Sequence, residues 1–371
     1  MKLTKIISLA AVLALAAAPG CYAQTSGQAA KPAVKKAAKP AAKKAVSAPA
    51  KAKPAAAPAK TQAAPAVKPA AAKPAQAVQI STATPFGGAV EKLASKDPAV
   101  RRQGADFLAQ SRDQKAVPYL EKALADVSAP VRASAVDGLC QLVYREATPK
   151  IAGLLLTDKD AQVRQQAASS LSYMMDQAAG PALVKALKDE APGVRYAAAN
   201  TLGAIRYAPA EDPLIALLAD DGMRRVAISA LGQLQSKKAA SAIFKFLSDK
   251  DQYTRLEAVR ALGSIGDASA APELKKRLDK AEIPAVRVEA ALALAKLGLQ
   301  DGLPTAYEFV KSPDMSLKNQ ALEVIGAVGD ARSLQFINEL YATEQDPMSK
   351  GMLDFTRQRL AARQKLQQPK K

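Results

Sequence analysis

The chain has 371 residues but no histidine, no tryptophan and only two cysteines, Cys21 and Cys140. Histidine is the side chain whose ordinary charge change falls between pH 5 and 8 and the commonest metal ligand, so its absence removes the usual general base and the usual transition-metal donor together. Two cysteines this far apart in sequence make no Cys-x-x-Cys pair and are too few for a four-cysteine zinc set, and with Cys21 removed or lipidated no intrachain disulfide forms. Walker loops and a Gly-x-Ser-x-Gly elbow are missing as well. Aromatic residues make up only 4% of the chain, and no segment approaches twenty consecutive apolar residues. The sequence therefore predicts no catalytic residue, no metal and no cofactor.

What the chain does have is a period. A basic residue heads the same apolar pattern eight times, at Arg101, Arg132, Arg164, Arg195, Arg224, Arg255, Arg287 and Lys318, in steps of 31, 32, 31, 29, 31, 32 and 31 residues. That is the length of two short helices and two turns, so each unit reads as one helical hairpin stacked on the next. Counted from the basic residue, offset +3 is Gly104 in the first unit and Ala in every other, and offset +7 is Leu in seven units and Ile325 in the eighth. A small residue and then a large one on the same face means close helix approach at one point and a filled core at the other. The upstream helix of each hairpin is marked by proline in its first turn, as at 118–125, 149–156, 181–188, 213–219 and 272–278. Asp, Pro and Gly turns such as Asp97-Pro98 and Ser128-Ala129-Pro130 separate the two helices.

Two stretches, Asp97-Pro98-Ala99-Val100-Arg101 and Val194-Arg195-Tyr196-Ala197-Ala198-Ala199-Asn200-Thr201-Leu202-Gly203, resemble HEAT repeats, specifically the HEAT-like repeats of the phycobilin lyase type. The resemblance covers roughly residues 86–345. It implies an all-α, right-handed α-solenoid of about eight HEAT-like hairpins, and it implies that the basic column forms a structural ladder with turn carboxylates between successive units. Each turn supplies at least one acid: Asp97, Asp126, Asp158 or Asp160, Glu190, Asp220 or Asp221, Asp249 or Asp251, Asp279 or Glu282, and Asp314. Such repeats serve adaptors, transport receptors and a few lyases alike, so the fold does not fix the function.

The two ends read differently. Residues 1–23 carry Lys2 and Lys5, an apolar stretch from Ile6 to Ala18, then Pro19-Gly20 and Cys21-Tyr22-Ala23, the pattern of a secretory signal peptide. Cleavage after Ala23 and lipidation at Cys21 are the two processing routes this segment offers; either implies an exported protein, periplasmic or secreted, with no transmembrane span in the mature chain. Residues 24–84 form an Ala/Lys/Pro-rich basic linker that cannot build a core and is expected to be disordered. Thirteen lysines and no acid precede residue 80, which leaves 40 basic residues against 34 acids in the remainder, so most of the net charge of +19 lies in this arm. It is a solubilising spacer or a binder of anionic cell-envelope polymers; nucleic acid is disfavoured because export removes the usual target. The solenoid is placed at 85–345. Residues 346–371 read as a C-terminal capping helix and basic tail, with Met352, Phe355 and Leu360 as inward contacts.

Cys140 sits in a column otherwise held by Ala, Ser and Gly, so it reads as a packing residue rather than a nucleophile. That leaves the outward face of the second helices, assigned by helical angle to offsets +1, +2, +5 and +9. Those columns hold four basic and five acidic residues, so the face is near neutral, and many Gln, Ser and Asn residues, with Tyr173 and Tyr196 as the only aromatics. The face therefore suits hydrogen bonding to a protein or peptide partner, with Tyr173, Tyr196, Asn200, Gln166 and Gln103 as candidate contacts. The reading is a non-catalytic exported scaffold. The alternatives are a bilin lyase-like enzyme, by resemblance, and a polymer binder acting through the arm.

Overall fold

The computed structural model describes residues 84–367. The leader at 1–23, the end of the tail, and the basic linker at 24–84 apart from Thr84 lie outside the described residues. Thr84 caps the first helix, accepting a hydrogen bond from the Gly87 amide at 3.0 Å.

Every regular element among the described residues is helical. The first helices of the hairpins are α1 (Pro85–Lys92), α3 (Val117–Ala123), α5 (Thr148–Thr157), α7 (Gly180–Ala186), α9 (Glu211–Ala216), α11 (Lys237–Phe244), α13 (Ala271–Lys276) and α15 (Leu303–Phe309). The second helices are α2 (Pro98–Gln110), α4 (Ala129–Gln141), α6 (Ala161–Met174), α8 (Pro192–Ala204), α10 (Arg224–Leu234), α12 (Gln252–Ile265), α14 (Pro284–Lys296) and α16 (Met315–Val328). A ninth pair, α17 (Ala331–Thr343) and α18 (Pro347–Gln367), follows, and α18 packs on both α16 and α17. Each second helix lies beside the next second helix, which makes the fold an all-α solenoid.

Local chemistry sets the helix ends. Asp97, Asp160, Asp251 and Asp314 accept backbone amide hydrogen bonds at the starts of α2, α6, α12 and α16, and proline occupies the first turns of α2, α4, α8 and α14. At the other end, offset +11 is left-handed in all of the first seven units: Arg112, Val143, Met175, Arg206, Gln235, Gly266 and Gly298. This residue turns the chain into the next hairpin, and only two units use glycine for it. The eighth unit differs, because Gly329 there has φ −62°.

The two columns that define the period build the core. Every Ala at offset +3 and every Leu or Ile at offset +7 is fully buried. Burying a Leu or Ile contributes about 1.5–3 kcal/mol. Offset +8 sets the spacing between second helices: a Cβ added to Gly203 would lie 2.7 Å from the Ala230 Cα, and one added to Gly232 would lie 2.8 Å from the Ala261 Cα. The core is not one continuous cluster. Residues from Ala89 to Leu294 form the first and residues from Val288 to Leu360 the second, and α14 contributes one face to each.

At the C-terminus, α18 buries Leu353, Thr356 and Leu360, with Met352 partly buried. The expectation for Phe355 is overturned: it is 65% exposed. It stands at offset +5 from Lys350, the outward column of the second helices, so helical angle alone carries it away from the core.

Candidate functional site

Two surfaces hold the residues singled out by the sequence: the turn edge carrying the basic column, and the outward face of the second helices. At the turn edge, four arginines share one arrangement. Arg101, Arg132, Arg164 and Arg255 each donate Nη1 to a carbonyl of their own turn, and each presents Nε and Nη2 to a carboxylate of the following unit. The pairs are Arg101–Asp126 at 2.7 and 2.8 Å, Arg132–Asp158 at 2.7 and 2.6 Å, Arg164–Asp189 at 2.8 and 2.9 Å, and Arg255–Glu282 at 3.1 and 2.8 Å. Two parallel N–H donors match the two carboxylate oxygens, which fixes orientation as well as attraction. Arg287 turns instead to Glu308 of α15, at 2.9 and 2.7 Å. Arg224 bonds Asp221 of its own turn and lies 3.8 Å from Asp249, while Lys318 donates to the Ser349 hydroxyl at 3.0 Å. Arg195 makes no carboxylate contact among the described residues; its Nη1 donates to the Asp189 and Glu190 carbonyls.

The electrostatics follow from those contacts. The hydrogen bond from Arg101 is the main cause that holds Asp126 below the usual carboxylate range, and that from Arg164 does the same for Asp189. For Asp158 burial pushes upward, but the bonds from Arg132 and the Asp160 amide outweigh it and the net shift is down. Glu282 behaves likewise, with Arg255 opposing burial. Cys140 is fully buried, and burial raises its thiol far above the range in which a thiolate nucleophile is available. Among the described residues no group of three or more acidic or sulfur side chains could hold a metal ion.

On the outward face the structure separates the five candidates. Tyr196 and Asn200 line one cleft of about 280 Å³ between α8, α10 and α12, together with Arg225, Ser229, Tyr253 and Arg260. Gln166 lies in another groove, of about 400 Å³, with Arg102, Asp106, Asp137 and Asp160. It is already engaged, donating to Asp137 at 3.1 Å and to Ser170 at 2.8 Å. Tyr173 and Gln103 are exposed, and neither belongs to these two hollows.

The outward assignment of offset +2 is corrected. Ser134, Ala197, Val226 and Glu289 at that offset are buried, because this column leans against the preceding second helix. Offset +1 and offset +5 are buried in the seventh unit too, as Val288 and Leu292, where α14 feeds the second core cluster. The cleft also contains a tyrosine absent from the sequence reading. Tyr253 is 58% exposed against 57% for Tyr196, and the Arg225 guanidinium lies 6.0 Å from its ring centre. It stands at offset −2, which shares the helical angle of offsets +5 and +9, so extending the scan upstream of the basic residue finds it.

With this geometry in place, the comparisons with known proteins fall into line with the period. The family profile of HEAT repeats matches residues 148–222, 211–283 and 273–351, and that of the PBS lyase HEAT-like repeat matches residues 100–126. The chain belongs to the HEAT-repeat family. This HEAT-repeat chain is 35% identical over 142 residues to the phycocyanobilin lyase subunit alpha of Nostoc sp., an alignment covering 32% of this chain and 51% of that protein. It is 30% identical over 167 residues to protein YibA of Escherichia coli strain K12, covering 43% of this chain and 59% of that one. The chain thus spans about half the length of the curated relatives it matches. Among solved structures, the complex of CpcE and CpcF of phycocyanin lyase from Nostoc sp. superposes with a TM-score of 0.40 and 25% identity, over 71% of this chain and 98% of that one. No helix among the described residues is long and apolar enough to cross a membrane.

Proposed function

We propose that the solenoid is a non-catalytic scaffold that holds a protein or peptide partner on the outward face of its second helices, centred on the cleft between α8, α10 and α12. The observation that carries this reading is the pair of exposed tyrosines, Tyr196 and Tyr253, lining one cleft with Asn200, Ser229 and Arg225. Amphipathic aromatics give large contact area at low entropic cost, and arginine and tyrosine dominate interface energetics. Asn200 and Ser229 offer donors and acceptors to a peptide backbone. Affinity capture from a native envelope extract with the wild-type chain and with Tyr196→Ala/Tyr253→Ala tests it: a partner is retained by the first and lost by the second. Equal capture by both removes the cleft from the interface.

A second reading, a lyase-like role toward a bilin, is supported by the similarity to the phycocyanobilin lyase subunit. A spectral titration with free bilin separates the two, since a scaffold leaves the bilin absorption unchanged. The leader at 1–23 supports export to the periplasm or the medium, and the lysine-rich arm supports contact with anionic envelope polymers. Mass determination of the native N-terminus distinguishes cleavage after Ala23 from lipidation at Cys21. Salt-sensitive pelleting with cell-wall material, with and without residues 24–84, tests the arm.

A further inference from the structure

The turn-edge arginines form an internal control set. Arg101, Arg132, Arg164, Arg195 and Arg255 all anchor Nη1 on turn carbonyls five or six residues upstream, at 2.9–3.3 Å. Four of them then fill the Nε/Nη2 edge with a carboxylate from the next unit. Arg195 alone has that edge empty. It is only partly exposed, and its Nε and Nη2 are not among the buried, unpartnered polar atoms, so the edge opens to solvent.

The cause lies in the fifth unit. In the neighbouring hairpins six residues separate the accepting carboxylate from the next arginine, as in Asp126 to Arg132, Asp158 to Arg164 and Asp189 to Arg195. From Asp220 to Arg224 there are only four, matching the short 29-residue step. Asp220 still makes the local turn contact of its counterparts, accepting from the Gly222 amide at 2.9 Å just as Asp126 accepts from Ser128 and Asp189 from Ala191. α10 begins at Arg224 itself, where α2, α4, α6, α8 and α12 begin three residues ahead of their arginines, and in this altered turn Asp220 forms no ion pair with Arg195 among the described residues.

We propose that Arg195 is a vacant rung, a carboxylate-binding point that takes an aspartate or glutamate side chain of a partner protein in place of the missing intrachain one. The guanidinium is pre-oriented by its two carbonyl contacts, so an incoming carboxylate meets a donor pair whose geometry the four filled rungs already show to be productive. Arg195 does not line the tyrosine cleft, although Tyr196 follows it on α8, and glutarate binding at Arg195 is read separately from partner capture by the tyrosines, so failure of one leaves the other standing.

The test uses the full chain and the arginine Nε–H resonances, which report only on the repeats because no arginine precedes Arg101. Glutarate is the probe, and Arg195→Lys assigns the signal. Titration should shift the Arg195 Nε–H saturably, with an apparent affinity roughly tenfold tighter than any response of Arg112, an exposed arginine. Arg132, whose edge is occupied, should not respond. Arg195→Gln breaks no rung and gives up only the two contacts to its own turn, so it should lower Tm modestly, and it should lose the glutarate-dependent rise in Tm. The proposal is overturned if Arg195 and Arg112 respond alike, or if Asp220→Asn changes the Arg195 signal in the absence of glutarate, which would make Asp220 its partner.

Discussion

The first seven hairpins and the last two are built from the same repeat but are held together differently. In the first seven, second helices touch through small residues at offset +8, a left-handed residue at offset +11 ends each one, and most rungs join adjacent turns. The seventh rung is transitional, with Arg287 reaching Glu308 on a helix rather than a turn acid; beyond it Lys318 meets a serine and Gly329 leaves the left-handed conformation. Register in the first region is set by paired charges and close backbone approach. In the second it rests on the apolar cluster of Phe309, Leu322, Ile325 and Leu353. Removing a charge should therefore matter in one region and little in the other.

The sharpest test is Asp158→Ala against Lys318→Met. Arg132 and Asp158 retain only 8% and 3% of their side-chain exposure, so removing the acid strands a buried guanidinium at a cost of about 3 kcal/mol. Lys318→Met removes one hydrogen bond at a partly exposed site and should cost less than about 1 kcal/mol. Denaturant unfolding of the two variants measures the difference, and equal losses would mean that charge pairing does not distinguish the regions.

Acidification probes the same rungs together. Asp126, Asp158, Asp189 and Glu282 all have folded-state values below their unfolded ones. Their contribution is fully present above the ordinary carboxylate range and is lost as pH falls through the lowered values. Stability should thus be flat from pH 7 to about 5 and drop below about 4. Hydrogen exchange should show amides of α4 to α8 losing protection before those of α16 and α18.

Much of this comparison was legible in the sequence. The eightfold period, the small and large columns and the irregular fifth and eighth units are properties of single positions repeated many times, and repetition averages out local ambiguity. What failed depended on neighbours. Offset +2 is outward on an isolated helix and becomes buried only when the preceding helix leans on it. Phe355 is expected as an inward contact beside Met352 and Leu360, yet its helical phase faces it outward. The empty edge of Arg195 coincides with a turn two residues shorter in the next unit, a change of spacing that leaves the residue types unchanged.

The close approach of second helices gives a smaller, steric contrast. Gly203→Ala places a methyl 2.7 Å from the Ala230 backbone, a contact that no side-chain rotation relieves, and should cost about 2 kcal/mol despite the better helix propensity of alanine. Gly326→Ala meets only the Arg359 side chain, at 3.2 Å, which is free to move; it should be neutral or stabilising by up to about 1 kcal/mol. Opposite signs in thermal melts support the contrast, and matching signs erase it.

The smallest expected effect is at the left-handed position. Val143 has φ 54°, a conformation that a β-branched side chain adopts only at a cost of about 1–2 kcal/mol, whereas Gly266 and Gly298 fill the same offset in the sixth and seventh units without it. The strain persists because the flanking hydrogen bonds, Val143 N to Cys140 O at 2.9 Å and Tyr144 N to Leu139 O at 3.0 Å, tie the turn down on both sides. Val143 is half exposed, so its replacement removes little core. Val143→Gly relieves the strain but loosens the unfolded chain, which takes back part of the gain. A net stabilisation of about 0.5 kcal/mol is expected, measured as a small rise in Tm. Gly266→Val should lose about 1–2 kcal/mol, since it installs the strain that the second unit carries. If Val143→Gly destabilises instead, the offset +11 turn is held by side-chain packing rather than by backbone conformation, and the first seven hairpins are less alike than their common geometry implies.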